Sequence, residues 1–345
     1  MKKAAIIGHF GFGYSYFDGQ TVKTKILAAE LQRRFGCDAV SLYDTHGGIR
    51  AMPKILTAVL SALKGHENVI ILPAHNGLRI IAPWRAFWNR VFKRNIHYSV
   101  VGGWLPSVLK RKKRLARSLR RFSGIYVETR TMKRALLEMG FYNVDVMPNC
   151  KELEILPCSE LFVASDLPYR LCMFSRVMKE KGVEDAIAAI GCLNAREGRE
   201  IYSLDIYGPV DSGQTDWFET LQKNFPQWVQ YRGVVPFDES VETLRCYDAL
   251  LFPTRFYTEG VPGTIIDAYA AGVPVVSSKW ESFGDVVEDG VTGFGYDFGS
   301  VEDLTRCLDT IWKDNVLTLE IKENCLARAA DFLPASTVEV LVRNM

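Results

Sequence analysis

Short apolar, β-branched runs and longer stretches with apolar positions every third or fourth residue take turns along the whole chain. In the first half, Ala4–Ile7, Asp38–Tyr43, Val69–Pro73, His97–Val101, Gly124–Glu128 and Val144–Met147 read as strands. Helices are predicted from near Gln20 to Phe35 and over 53–64, 83–94, 106–121 and 130–139. In the second half, strands at Leu171–Phe174, Tyr202–Tyr207, Val229–Tyr231, Ala249–Phe252 and Val273–Ser278 alternate with helices over 183–196, 216–224 and 239–246. A further short helix opens at the turn 260–264, and 318–345 is again helical. Such alternation predicts an α/β fold with parallel sheets covered by helices on both faces.

At 345 residues the chain is too long for one ordinary core. Two domains are expected, 1–165 and 166–320, with a C-terminal helical tail, 321–345, that crosses back to the first. Pro148–Asn149 closes the first half, and the polar passage 150–168 suits a connection. Charge sharpens that division. Residues 1–165 carry 26 Lys+Arg against 11 Asp+Glu, a balance of +15, whereas 166–345 carry 16 against 29, a balance of −13. A basic first domain suits an anionic partner: a membrane surface, a phosphorylated acceptor or nucleic acid. No apolar run approaches the roughly 18 residues of a membrane span, and Met1–Lys2–Lys3 leads straight into a strand without a signal-peptide core. The eight cysteines form no CxxC pair and no metal spacing, so thiols of a reducing cytosol, mostly in the core, are expected.

Two first-half helices carry unusual faces. From Pro83, Trp84, Phe87, Trp88, Val91 and Phe92 recur at helical spacing, with Arg85, Arg90, Lys93 and Arg94 elsewhere. That stripe fits either a core or a lipid contact. The next helix holds basic residues at 110–114, 117, 120 and 121 with no acid among them. It is either a solvated face or a surface for anionic lipid, where each charge is worth ~1 kcal/mol. The run matches no nucleic-acid-binding module, so nucleic acid is not an expected partner.

The candidate chemistry gathers in Pro253–Ser278. Glu259 and Asp267 flank a Gly260–Val261–Pro262–Gly263–Thr264 turn that opens a helix. Pro262 suits its first position, leaving the amides of Gly263 and Thr264 free at the positive end of the peptide dipoles. The blander reading is a capping acid and a surface acid. Two cations, Arg176 and Lys181, sit in the loop after the strand Leu171–Phe174. Together they can neutralise a pyrophosphate, or serve in salt bridges at a helix start. Glycines at 8, 11, 13 and 19 follow the first strand with the wrong spacing for a dinucleotide fingerprint. They mark either a ligand-approaching loop or a plain turn.

In order and spacing, Glu259–Gly260, Asp267–Ala268 and Ala271–Gly272–Val273–Pro274–Val275–Val276 resemble the glutamate-x7-glutamate signature of retaining, GT-B-fold glycosyltransferases of the family 4 type. Asp267 stands where that family usually has Glu, one methylene shorter. Ser175–Arg176 … Glu180–Lys181–Gly182 is similar to the family's G-R-L-x-x-E-K-G, with Ser for the usual Gly, and Arg232–Gly233–Val234–Val235–Pro236 to its base-binding turn.

The resemblance implies a GT-B fold, two Rossmann-like doubly wound domains facing across a cleft. It further implies transfer of a sugar from a UDP- or GDP-sugar to a lipid-linked or polysaccharide acceptor on the cytoplasmic membrane face, the protein being peripheral there through 83–121. Arg176, Lys181 and Glu259 would be catalytic. Gly19, Val235, Gly260–Thr264 and Asp267 would bind the donor, without metal or other cofactor. Many relatives place a histidine after the fourth strand of the first domain, where this chain reads Val100–Val101–Gly102–Gly103–Trp104. His75 is the nearest substitute, or a structural hydrogen-bonder; Gly102 and Gly103 can instead expose backbone to the sugar. Two other classes stay open: a GT-B-fold nucleotide-sugar epimerase and a non-catalytic anion-binding protein.

Overall fold

The computed structural model describes residues 1–13, 19–47, 52–73, 75–163 and 166–345, with the side chains of residues 52, 75, 76, 85 and 86 left undescribed. The chain divides into two compact units, Met1–Glu152 with Phe332–Met345, and Leu153–Asp331. Each is built on a parallel sheet flanked by helices.

In the first unit, the strands β1 (Lys2–Gly8), β2 (Val40–Asp44), β3 (His66–Ile71), β4 (Asn95–Ser99), β5 (Gly124–Val127) and β6 (Val144–Val146) form one sheet in the order β2-β1-β3-β4-β5-β6. The near-continuous apolar strands are those of a sheet buried on both faces: Ala4, Ala5, Ile6 and Ile7 have no exposure at all. One face packs against α2 (Met52–Gly65), α3 (His75–Phe92), α4 (Leu105–Arg111), α5 (Lys113–Leu119) and α6 (Arg130–Glu138). The other packs against α1 (Gly19–Phe35) and the C-terminal helix α14 (Pro334–Val342), whose Val338 and Leu341 join Ala4, Ile6, Leu27 and Leu31 in a common core. Arg34 fixes α14 by pairing with Glu339.

The second unit contains β7 (Tyr169–Phe174), β8 (Tyr202–Tyr207), β9 (Val229–Gly233), β10 (Ala249–Phe252), β11 (Val275–Ser278) and β12 (Gly293–Tyr296), ordered β12-β11-β10-β7-β8-β9. Its helices are α7 (Val183–Glu197), α8 (Thr215–Gln222), α9 (Ser240–Leu244), α10 (Gly263–Ala270), α11 (Phe283–Val286), α12 (Val301–Lys313) and α13 (Leu319–Ala329). Read from β9, this is the dinucleotide-binding strand order of a doubly wound sheet.

Several expectations are corrected. The helix expected from Pro83 begins at His75 and keeps Pro83 inside it. Pro83 lies on the exposed side, where the carbonyl deprived of its partner can turn to water. The helix expected over 106–121 breaks at Lys112 (φ −117°, ψ 69°) into α4 and α5. Five consecutive cations without acids three or four positions away oppose a continuous helix there. The passage 150–168 is not a free connection beyond Glu152. Leu156 N–H donates to Ala270 O at 3.0 Å, and Leu161 packs where a Cβ on Gly272 would stand. The cysteines are all unpaired thiols, but Cys37, Cys158, Cys192 and Cys246 are exposed and only Cys150, Cys172 and Cys325 are buried. The aromatic stripe of α3 splits: Trp84, Trp88 and Phe92 pack on the core, while Phe87 and Val91 stay exposed.

Candidate active site

In the second sheet β7 and β10 are neighbours, and the connections leaving them wind to opposite sides. Loops at the carboxyl ends of such a strand pair part to leave a crevice, the usual ligand position in open α/β sheets. The two loops concerned are 175–182 and 253–262, which carry Arg176, Lys181 and Glu259.

Glycines let these loops press together. Gly182 has φ +76°, and a Cβ on it would stand 2.0 Å from Pro253 O. Gly208, at φ +125° in the loop after β8, would put a Cβ 1.9 Å from Ser175 O. No other residue tolerates both the left-handed backbone and the contact. Backbone bonds complete the clamp: Ser175 N to Tyr207 O at 3.1 Å, Val177 N to Pro209 O at 2.9 Å and Arg255 N to Glu180 O at 2.8 Å. Arg255 also forks onto Asp185 at 2.8 and 2.6 Å. That pair holds the Arg255 guanidinium pKa above its ordinary value.

On this frame Lys181 Nζ donates to Glu259 Oε1 at 2.5 Å, with both side chains more than four-fifths buried. The ammonium also lies 5.1 Å from the ring centres of both Phe252 and Phe256. Each such contact is worth about 0.5–2 kcal/mol, more as water is excluded. Thr254 Oγ1 donates to the same Glu259 oxygen at 3.0 Å and accepts Phe256 N–H at 3.1 Å, so the carboxylate is held from two sides.

Next in the chain, Gly260 and Val261 are buried and Pro262 is the N-cap of α10, one position earlier than expected. The cap carbonyl takes Ile265 N–H at 3.1 Å and Ile266 N–H at 3.4 Å. Among the described residues the N–H groups of Gly263 and Thr264 have no backbone acceptor, and Thr264 Oγ1 is a buried hydroxyl without a partner. Three donors thus gather at the positive end of a helix, an arrangement built for an anion. Asp267, on α10, is buried rather than a solvated surface acid.

The remaining candidates lie apart from that cluster. Arg176 is half exposed and pairs with Asp211 at 3.6 Å. Val235 is half-buried beyond β9, in a turn whose Gly233 carbonyl accepts Gly208 N–H at 2.8 Å. In the first unit, Gly19 is the first residue of α1, with no atom of the described residues within 4 Å of a Cβ placed there. His75 starts α3, and its side chain lies outside the described residues. Gly102 has φ +76° and Gly103 is buried. The loop they form is anchored by the buried Lys23, whose Nζ donates to Val100 O at 2.8 Å and Glu128 Oε1 at 2.7 Å.

Sequence reasoning missed four of the groups that shape this site. Phe252, Thr254 and Phe256 sit in the central stretch, but nothing in apolar periodicity reveals contacts to Lys181. A fourth signal was available, since Gly208–Pro209 after a strand marks a close backbone approach. Missed too is a cluster after β1 and β2. His9 Nδ1 is 2.6 Å from Thr21 Oγ1 and His9 Nε2 is 3.2 Å from His46 Nδ1. Beside it Asp44 takes N–H bonds from Phe10, Phe12 and His46. Burial would raise the Asp44 carboxyl, but those bonds outweigh it and hold the pKa below the ordinary value. Among the described residues no three His, Cys, Asp or Glu side chains converge to hold a metal ion.

Comparison with known proteins agrees with this geometry. Amylovoran biosynthesis glycosyltransferase AmsK of Erwinia amylovora is 26% identical over 145 residues, 41% of this chain and 35% of that protein. Glycogen synthase of Mycobacterium tuberculosis is 25% identical over 217 residues, 60% of this chain and 51% of that protein. The matches therefore span about half or less of those relatives' own lengths. Among solved structures, Anabaena HepE in complex with UDP-glucose superposes with a TM-score of 0.72 at 15% identity, covering 99% of both chains. At that identity the likeness is one of fold, and it is the GT-B fold with two Rossmann-like domains. Residues 168–314, which hold the whole cluster of cations, carboxylates and helix amides, match the family described as Glycosyl transferases group 1.

Proposed function

We propose that the protein is a retaining glycosyltransferase that moves a sugar from a UDP- or GDP-sugar to a lipid-linked or polysaccharide acceptor at the cytoplasmic membrane face. One observation carries this reading. Lys181 and Glu259 are locked together beside the switch point of the second sheet, and α10 presents two amides and the Thr264 hydroxyl that have no partner among the described residues.

In this reading the donor's diphosphate takes the Gly263 and Thr264 amides, Lys181 and Arg176. Charge building on the leaving diphosphate is met by fixed donors, each worth ~3–4 kcal/mol of barrier. Glu259, held by Lys181 and Thr254, takes hydroxyls of the transferred sugar. Asp267 takes the ribose, Val235 lies against the base and Gly19 against the phosphates. His75, or backbone at Gly102 and Gly103, contacts the sugar from the first unit. The bond from the sugar to the diphosphate breaks, the acceptor hydroxyl bonds to the same carbon from the same face, and the leaving phosphate takes its proton, so the anomeric configuration is retained. AmsK and HepE support the class: the first is named an amylovoran biosynthesis glycosyltransferase, and the second was solved with UDP-glucose.

The acceptor side of the proposal rests on the first unit. Ile80, Phe87 and Val91 are exposed on α3 at i, i+7 and i+11, one face of the helix, beside basic residues of α3 to α5. An apolar stripe bordered by cations suits an anionic bilayer surface. No described helix is long and apolar enough to cross a membrane.

Titration with UDP-, GDP- and ADP-sugars, followed by transfer assays on membrane extracts, tests the reading. Glycosylated product from one nucleotide sugar is expected. Conversion of the nucleotide sugar to an epimer without acceptor, or binding of none of them, would overturn it.

A further inference from the structure

The loop that presents Glu259 also presents bare aromatic rings. Phe256 and Tyr257 precede Glu259 and are 38% and 53% exposed; Phe298, just after β12, is 36% exposed. Tyr257 and Phe298 meet edge to face, with ring centres 5.3 Å apart and planes at 82°. In that arrangement one ring of the pair keeps its faces free.

These rings stand on fixed backbone. Arg255 N–H is bonded to Glu180 O, its guanidinium to Asp185, and Tyr257 O accepts Glu281 N–H at 2.9 Å. Phe256, one residue before Tyr257, touches the Lys181 ammonium that holds Glu259, which sets Tyr257 on the same loop as the proposed transfer site. Its rim is acidic: Asp297 directly precedes Phe298, Glu281 is bonded through its N–H to Tyr257 O, and both carboxylates are exposed. Exposed rings on a rigid loop, edged by hydrogen-bond acceptors, are a poor surface for water. They complement a molecule with an apolar C–H face and a rim of hydroxyl donors.

We propose that Tyr257 and Phe298, continued by Phe256, form a stacking platform for a hexopyranose ring. This rests on the glycosyltransferase reading and names a saccharide subsite within it. The ring belongs either to the donor or to the acceptor, and the two sources are separable by experiment.

Wild type, Tyr257→Leu, Phe298→Leu and the double variant are titrated with UDP, with UDP-glucose, UDP-galactose, UDP-N-acetylglucosamine and GDP-mannose, and with maltose and lactose. Leucine keeps apolar bulk but removes the aromatic face, and Tyr257→Phe restores it. The leucine variants should bind UDP within twofold of wild type and a sugar-bearing probe about fivefold more weakly, with Tyr257→Phe close to wild type. A loss confined to nucleotide sugars assigns the platform to the donor ring; a loss confined to maltose or lactose assigns it to the acceptor. Leucine variants that bind every probe as wild type does would overturn the platform and leave the transferase reading standing. A wild type that binds neither UDP nor any nucleotide sugar would overturn the transferase reading itself.

Discussion

The two units share an architecture and carry opposite charge. The first carries 27 Lys+Arg against 10 Asp+Glu; the second carries 15 against 30. At the switch point of the acidic unit, glycines press loop backbones together and a lysine and a glutamate lock across them. At the corresponding edge of the basic unit, no described residue crowds a Cβ on Gly19, and the Val100–Trp104 loop hangs from a buried Lys23–Glu128 pair. An acidic domain can still bind an anion, because local amides and one desolvated cation outweigh distant screened charge. Net charge says which surface a domain seeks, whereas backbone geometry says what its crevice holds.

The largest expected effect lies in the second unit. Lys181→Ala or Glu259→Ala should cut transfer by about 10²–10³-fold, as one lost fixed group predicts, in a protein that still folds but melts lower because the partner charge is left buried. Full activity in both variants, measured by product formation, would remove the site assignment.

The glycine contrast comes next. Gly182→Ala and Gly208→Ala must push Pro253 O or Ser175 O aside, costing about 1–3 kcal/mol of stability and weakening UDP binding. Gly19→Ala meets none of the described residues and should stay within about 0.5 kcal/mol in urea unfolding. Equal costs for the three would erase the distinction between a packed and an open loop.

Smaller again is the surface effect in the first unit. Phe87→Ser with Val91→Ser should weaken cosedimentation with phosphatidylglycerol-containing vesicles by about tenfold, without loss of stability. Binding should also fall with added salt. Salt-insensitive binding, or none by wild type, would leave the basic unit without a membrane role.

The mildest prediction concerns pH. His66 is buried between Ala62 O at 3.1 Å and Ser41 Oγ at 2.9 Å. Burial, helped by the charges of Lys2 and the N-terminus and opposed by the Ala62 carbonyl bond, holds its imidazole pKa below the ordinary 6.5. The unfolded chain therefore takes up a proton at higher pH than the folded one. The contribution is complete above about pH 6.5 and is lost as pH falls through the folded value. Chemical denaturation from pH 7.5 to 5.5 should show a decline that His66→Gln flattens.

Strand–helix alternation, two domains and the Lys181, Glu259 and α10 positions were legible because each is a local pattern. Strands buried on both faces read as apolar runs, and a glycine-rich turn before an apolar helix reads as an anion site. Less legible was the start of α3, since proline is read as a first helical residue while an exposed mid-helix proline loses only one bond. The division of the aromatic stripe into core and surface was likewise unreadable, because spacing names a face but not what covers it.

By itself the sequence determined the two doubly wound halves, the opposite charges of their surfaces and the order of groups along the central stretch. Tertiary structure alone decided that Lys181 reaches Glu259 between two phenyl rings, that Arg176 turns to Asp211, that Asp267 is buried, and that Tyr257 meets Phe298. The physical reason is range. Periodicity and capping act over a few residues, but contacts between loops about 35 to 80 positions apart exist only after neighbouring strands of the second sheet pair and bring their carboxyl ends together.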